Sequence, residues 1–199
     1  MEVKLLAYTP EPELLCAKAM RACRTQEPAS ELELPEQDVA RLIRAAKKLG
    51  HLSVLEHASF TFSIFGISRV CSHQLVRHRM ASYSQQSHRR VARKSAEVVV
   101  PPSIERNEGA RELFNKAVDH SFSLFSKLLE LKIPLEDARY VLPNAVMTNI
   151  TVTMNARELL HFFKLRLEAS SQWEIRDLAE KMLQEAKKVA PIMFEDTEI

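Results

Sequence analysis

The chain has 199 residues, 46% of them hydrophobic and 27% charged, and a formal net charge of +2. That composition suits one globular domain spanning 1–199, and the near-neutral total excludes a protein that binds polyanions by overall charge. Three glycines in all, at positions 50, 66 and 109, exclude a glycine-rich phosphate loop or a dinucleotide fingerprint.

Val3 to Thr9 reads as a short strand. Pro10 to Arg24 and Pro35 to Leu49 read as amphipathic helices, each with a proline near its start, and Gly50 stops the second. From Ser59 to Ser68, Phe60, Phe62 and Ile64 alternate with Ser59, Thr61 and Ser63, the pattern of a half-buried strand. Ser68 is placed to cap a helix from Arg69 to about Arg79, on which Gln74 and Arg77 share a face. A loop then carries the chain to a long helix over Asn107 to Lys132 and a short one over Pro134 to Val141. Val146 to Met154 alternates again. Asn155 follows as an N-cap, with Glu158 three residues on as in a capping box. The next helix places Arg157, His161 and Lys164 on one face and Leu160, Phe163 and Leu167 on another. Gln172 to Val189 forms the last helix. Few strands, separated by helices and a long loop, point to an α+β fold, an antiparallel sheet flanked by helices, rather than a doubly wound sheet.

Cys16, Cys23 and Cys71 lack C-x-x-C spacing, so neither a disulfide framework nor a zinc site is expected. Cys71 reads as a small buried helix residue rather than a thiol nucleophile. His51 and His57, with Glu56 beside the second, are too few spaced ligands for a metal. Met1-Glu2-Val3-Lys4 opens no apolar signal segment, and no run of 18 apolar residues occurs. The expectation is a cytoplasmic protein without a membrane partner.

The local charge lies elsewhere. Between Arg77 and Lys94 stand six Lys or Arg and no Asp or Glu. Ser82, Ser84, Gln85, Gln86 and Ser87 fill the gaps. Guanidinium forks bind phosphate in pairs of hydrogen bonds, and Ser and Gln add shorter ones around the same anion. A solvated basic loop is the plainer reading of such a run, and a strip for nucleic acid is another. The strip is short, however, and holds only Tyr83 as a stacking aromatic, which argues against nucleic acid. A phosphorylated small molecule fits better.

Two further segments stand out: Asp137-Ala138-Arg139-Tyr140-Val141-Leu142-Pro143, and Asn155-Ala156-Arg157-Glu158 with His161 and Arg166 beyond it. With these in view the chain resembles the flavin-dependent thymidylate synthases. Their signature is R-H-R, seven residues, a serine, and usually an arginine two further on. Arg77-His78-Arg79, Ser87 and Arg89 follow it. Gly50-His51-Leu52-Ser53, Glu56-His57, Asp137-Ala138-Arg139, Asn155-Ala156-Arg157, Leu165-Arg166 and Gln172-Trp173-Glu174-Ile175 match in order and spacing.

The resemblance implies methylation of dUMP to dTMP. Methylenetetrahydrofolate would supply the carbon, NADPH the electrons and FAD the redox centre. It implies a homotetramer whose sites are shared between chains. It also implies that Gln74, Arg77, Gln85, Gln86, Ser87, His88, Arg89, Arg139 and Arg166 surround the nucleotide. Arg89 and Arg139 would meet its phosphate, and Arg166 would be the catalytic residue beside the uracil. By the same resemblance His51, Ser53, Arg77, His78, Arg79, Gln85, Asn155, Arg157 and His161 contact the flavin. Ser87 would bind rather than act as a nucleophile. The chain departs from the family's common residues at Ser84, Gln85, Arg90 and His161, where Asn, Glu, Tyr and Asn are frequent. The last three bear most on the flavin and substrate contacts.

Overall fold

Two strands with alternating faces form the middle of the sheet. They are β2 (Ser59–Ser68) and β4 (Met147–Asn155), paired antiparallel from Ser59↔Asn155 to Ser68↔Met147. The computed structural model describes residues 1–87 and 97–198. Strand β1 (Glu2–Tyr8) joins the far side of β2, and β3 (Ala81–Gln85) joins the far side of β4, giving the order β1-β2-β4-β3, antiparallel throughout. Phe60, Phe62, Ile64, Ile150, Val152 and Met154 are buried on one face, as the alternation requires. The opposite face carries Thr61, Ser63, Asn149, Thr151, Thr153, Ser82 and Ser84. Thr61 and Thr153 join hydroxyls across it at 2.9 Å.

Helices cover the apolar face. Helix α1 is Pro12–Ala22, α2 is Glu36–Leu49 and α3 is Arg69–Leu75. After β3 come α4 (Pro102–Glu105), α5 (Glu108–Glu130) and α6 (Leu135–Ala138), with a 3₁₀ turn at Arg139–Val141. Helices α7 (Ala156–Arg166) and α8 (Trp173–Lys187) complete the set. Phe60, Phe163 and Phe194 meet edge to face, with ring centres 5.7 Å apart, and lock the sheet to α7 and the C-terminal segment. One core of buried residues runs from Cys16 to Phe194. Among the described residues no helix is long and apolar enough to cross a membrane.

The local signals decide most boundaries. Gly50 ends α2 at φ 74°, the left-handed conformation that glycine adopts without penalty. Gly66 (φ 77°) sits where the β2–β4 register shifts, between Ile64 and Ile67, and donates to Asn149 Oδ1 at 3.2 Å. Asn155 caps α7 by accepting from Glu158 N–H at 2.9 Å. The capping box stops there: the Glu158 carboxylate turns instead to His78.

Two expectations need correction. Helix α3 ends at Leu75, four residues before the expected Arg79. The chain after Arg79 is not all loop, since Ala81–Gln85 is the fourth strand. Its Ser- and Gln-rich composition hid it. As an edge strand it needs few apolar side chains, and it pairs with β4 through its backbone. The hydroxyl of Tyr83 lies 2.9 Å from Leu75 O and 2.8 Å from His78 O, so the strand ties down the carbonyls freed where α3 ends.

A buried carboxylate anchors the start of α3. Glu174, 2% exposed in the first turn of α8, accepts from Ser68 N at 2.7 Å and from Ser68 Oγ at 2.5 Å. Ser68 Oγ in turn accepts from Cys71 N at 3.0 Å. Both bonds to Glu174 are charge-assisted, and its removal leaves the Ser68 amide without its carboxylate acceptor. Glu174→Ala should therefore lower unfolding free energy by about 2–4 kcal/mol in urea titrations, with Glu174→Gln intermediate.

Candidate active site

The turn between α3 and β3 carries the R-H-R segment and divides its side chains. Arg77 and Arg79 are exposed, whereas His78 is buried at 4% exposure. Among the described residues no carboxylate pairs with either arginine. Gln74 lies half-buried on α3, one turn before Arg77.

His78 is held by α7. Its ring and that of Phe162 meet edge to face with centres 4.9 Å apart, and its Nδ1 lies 3.3 Å from Glu158 Oε1. Arg166 Nε donates to its Nε2 at 3.1 Å. Burial, and then the neighbouring charges of Arg166 and His161, press the imidazole pKa down to about 4. The ring is therefore neutral at physiological pH. Burial also pushes the Glu158 carboxyl above its ordinary value, against the pull of His161 and Arg157.

The start of α7 gathers the remaining predicted flavin contacts other than Gln85. Arg157 pairs with Glu56 of the 3₁₀ turn at Leu52–His57, which brings that turn, with His51 at its entrance and Ser53 within it, against α7. Both residues are exposed, as are Arg157 and His161. His161 stacks edge-on to His78, with ring centres 5.9 Å apart. Asn155 commits its Oδ1 to the cap. His78, Asn155, Arg157 and His161 thus lie where β4 runs into α7, with Arg77 and Arg79 flanking His78 in the turn after α3 and the 51–57 segment joined through Glu56.

The other predicted substrate contacts stand at the opposite end of β3. Gln85 donates through Nε2 to buried Thr148 Oγ1 at 3.3 Å, and Gln86 N bonds to Asn149 O at 2.9 Å. Ser87 is exposed beyond them. His88, Arg89 and Arg90 lie outside the described residues. Arg139 donates through Nε to Glu136 O at 3.0 Å and is half-buried. From Ala81 to Gln85 the strand advances roughly 13 Å, so one chain holds the two groups of residues apart. A depression of about 320 Å³ on the open sheet face takes in Ser84 and Gln86. A larger one, about 420 Å³, is rimmed by Glu11, Glu13 and Glu36 and includes none of the predicted residues.

Sequence reasoning missed Arg69. Half-buried at the start of α3, its guanidinium pKa is lowered by burial and then by the nearby charge of Arg139. Two cations brought together suit an anion better than they suit each other. The sequence signal was Arg69 following a capping serine, but nothing local placed it near Arg139. Glu158 was read only as a cap residue. Cys71 is buried, and burial first, then Glu174 and Asp177, raises its thiol well above the usual range. That excludes an active thiolate.

Fold and site together define an α+β protein that arrays guanidinium, imidazole and amide donors along one sheet edge, a donor set for an anionic nucleotide. Residues 4–192 match the family described as Thymidylate synthase complementing protein. The flavin-dependent thymidylate synthase of Geobacter sulfurreducens is 50% identical over 98% of this chain and 86% of its own length. That of Sulfurisphaera tokodaii is 50% identical over 98% and 76%. The crystal structure of the UMP/dUMP methylase PolB from Streptomyces cacaoi, bound with 5-Br dUMP, superposes with a TM-score of 0.87 at 26% identity, covering 98% of this chain and 93% of that one. The chain belongs to the flavin-dependent thymidylate synthase family.

A neutral buried His78 has a measurable signature. Its folded pKa lies below the unfolded value of 6.5, so the unfolded state binds the extra proton. The stability this gives is present above pH 6.5 and is lost as pH falls toward 4, opposed in part by the raised Glu158. The urea midpoint of wild type should fall more steeply between pH 6.5 and 4 than that of His78→Gln.

Proposed function

We propose that this chain catalyses reductive methylation of dUMP: dUMP, methylenetetrahydrofolate, NADPH and a proton give dTMP, tetrahydrofolate and NADP⁺. Half-identity over nearly the full chain with enzymes named flavin-dependent thymidylate synthase carries this reading. The structural neighbour named a UMP/dUMP methylase supports the substrate. These relatives do not favour a nucleic-acid role for the 77–94 strip. We take 1–199 as one synthase domain, which the single buried core supports.

The residues present fit FAD. Its pyrophosphate is a dianion, and Arg77 and Arg79 offer exposed guanidiniums with no carboxylate partner among the described residues. Arg157, His161, Ser53, His51 and Asn155 add donors around the same corner. FAD, when bound, would supply the redox chemistry between NADPH and the transferred carbon. The protein positions and polarises. Arg166, on the last turn of α7, holds positive charge where the uracil would gain negative charge at N3. His78, neutral and buried, keeps a second cation away from Arg166. Gln74, Gln86, Ser87, His88, Arg89 and Arg139 would hold the nucleotide, with Arg89 and Arg139 at its phosphate.

The assembly in this reading is a homotetramer with shared sites. Two observations support it. One chain keeps Gln85, Gln86 and Ser87 at the far end of β3 from Gln74, Arg77 and Arg166, although both sets are assigned to the nucleotide. Helix α5 buries only Val118 and Phe125, while Leu113 and Leu124 stay exposed, as a helix reserved for a partner would. The free thiols of Cys16, Cys23 and Cys71 support a reducing compartment, the cytoplasm.

The visible spectrum tests the reading. A flavin band should bleach with NADPH in the absence of air, faster with dUMP, and dTMP should form once methylenetetrahydrofolate is added. Absence of bound or bindable flavin overturns the proposal. Arg166→Ala should cut kcat by roughly 10²–10³-fold with flavin content per chain unchanged. Equal loss of both would refute the division of roles.

A further inference from the structure

One buried charge has no part in the roles above. Glu158 is 9% exposed on the inner side of α7. Residues 158, 162 and 166 lie four apart, so they form successive rungs of one helix face, each about 6 Å along the axis from the last. His78 lies across all three. Glu158 Oε1 is 3.3 Å from its Nδ1, the Phe162 ring is 4.9 Å away edge to face, and Arg166 Nε is 3.1 Å from its Nε2.

The hydrogen-bond directions are determined. Arginine has donors only, so His78 Nε2 must accept. A neutral imidazole whose Nε2 accepts carries its proton on Nδ1, and that N–H points at the Glu158 carboxylate. The other tautomer would set a lone pair against the carboxylate and an N–H against the guanidinium. Glu158 and Arg166 therefore select the same state of the ring from opposite sides. Tyr83 adds a third hold, from β3, through the His78 carbonyl.

The spacing also matters. A carboxylate bonded directly to Arg166 would occupy its donors and cancel its charge. With the imidazole interposed, Glu158 fixes the guanidinium at Nε and leaves both terminal nitrogens and the cation available. We propose that Glu158 is a positioning residue for the reaction assigned above: its bond to Nδ1–H holds His78 in the tautomer that anchors Arg166 Nε, and so aims the Arg166 guanidinium at the substrate base. The proposal rests on that assignment for what Arg166 faces, but not for the tautomer itself. Groups facing His78 from every element packed against it are Glu158, His161 and Arg166 on α7 and Tyr83 on β3.

Wild-type dTMP formation is measured first, because its absence defeats the assigned reaction rather than the hydrogen-bond chain. Neutron diffraction from crystals of the wild-type protein then locates the imidazole proton without any variant. Density on Nδ1 alone is expected, and a proton on Nε2 overturns the proposal. In the flavin-loaded enzyme, Glu158→Gln keeps the shape but removes the charge that dictates the tautomer. It should lower kcat roughly tenfold to a hundredfold, the range for groups that orient a functional imidazole. Flavin per chain should stay unchanged and the dUMP KM should stay within about threefold. Glu158→Asp should recover part of the loss. A lowered melting temperature with kcat intact would make Glu158 merely structural and overturn the proposal.

Discussion

A sheet with one apolar face must have that face covered, and the rest of this structure follows from how β2 and β4 meet the requirement. Their inward residues demand helices on one side only, and α7 and α8 supply them. Strand β4 runs into α7 without a loop, through a single residue, Asn155, that ends the ladder opposite Ser59 and caps the helix. The angle between strand and helix is thus set by backbone pairing on one side and an amide cap on the other. Every predicted flavin contact near that junction inherits its precision from it.

Buried charge reinforces the same design. Two carboxylates lie under the site, and each receives its donors from an element other than its own. Glu174 reaches from α8 to the start of α3, and Glu158 reaches from α7 to the turn after α3. The short helix α3 is therefore held at its beginning by one and just beyond its end by the other. Its seven residues could not persist on helical propensity alone. Their stability comes from these links and from Cys71 and Leu75 packing inward.

Much of this was legible in the sequence. The alternations at 59–68 and 146–154, the Ser68 and Asn155 caps and the Gly50 stop are local signals, and local signals predict local structure. The R-H-R segment, with its spaced serine, pointed to nucleotide chemistry before any fold was known. What escaped were features decided by tertiary partners. Strand β3 lacks an apolar stripe because it borrows its order from β4 and from one tyrosine hydroxyl. Glu158 followed the capping pattern in spacing, yet its carboxylate answers an imidazole 80 positions away in the chain. Arg69 and Arg139 are neighbours only after α3 and α6 are placed. No periodicity reports such pairings, because each depends on where another element has already folded.

The scarcity of glycine has a meaning beyond the motifs it rules out. Three glycines against nine prolines among 199 residues describe an unfolded chain with unusually few backbone conformations to give up. Each ordinary residue in place of glycine narrows the denatured ensemble, and each proline narrows it further. Part of this protein's resistance to unfolding is therefore written into the disordered state, where no contact map of the folded molecule would reveal it.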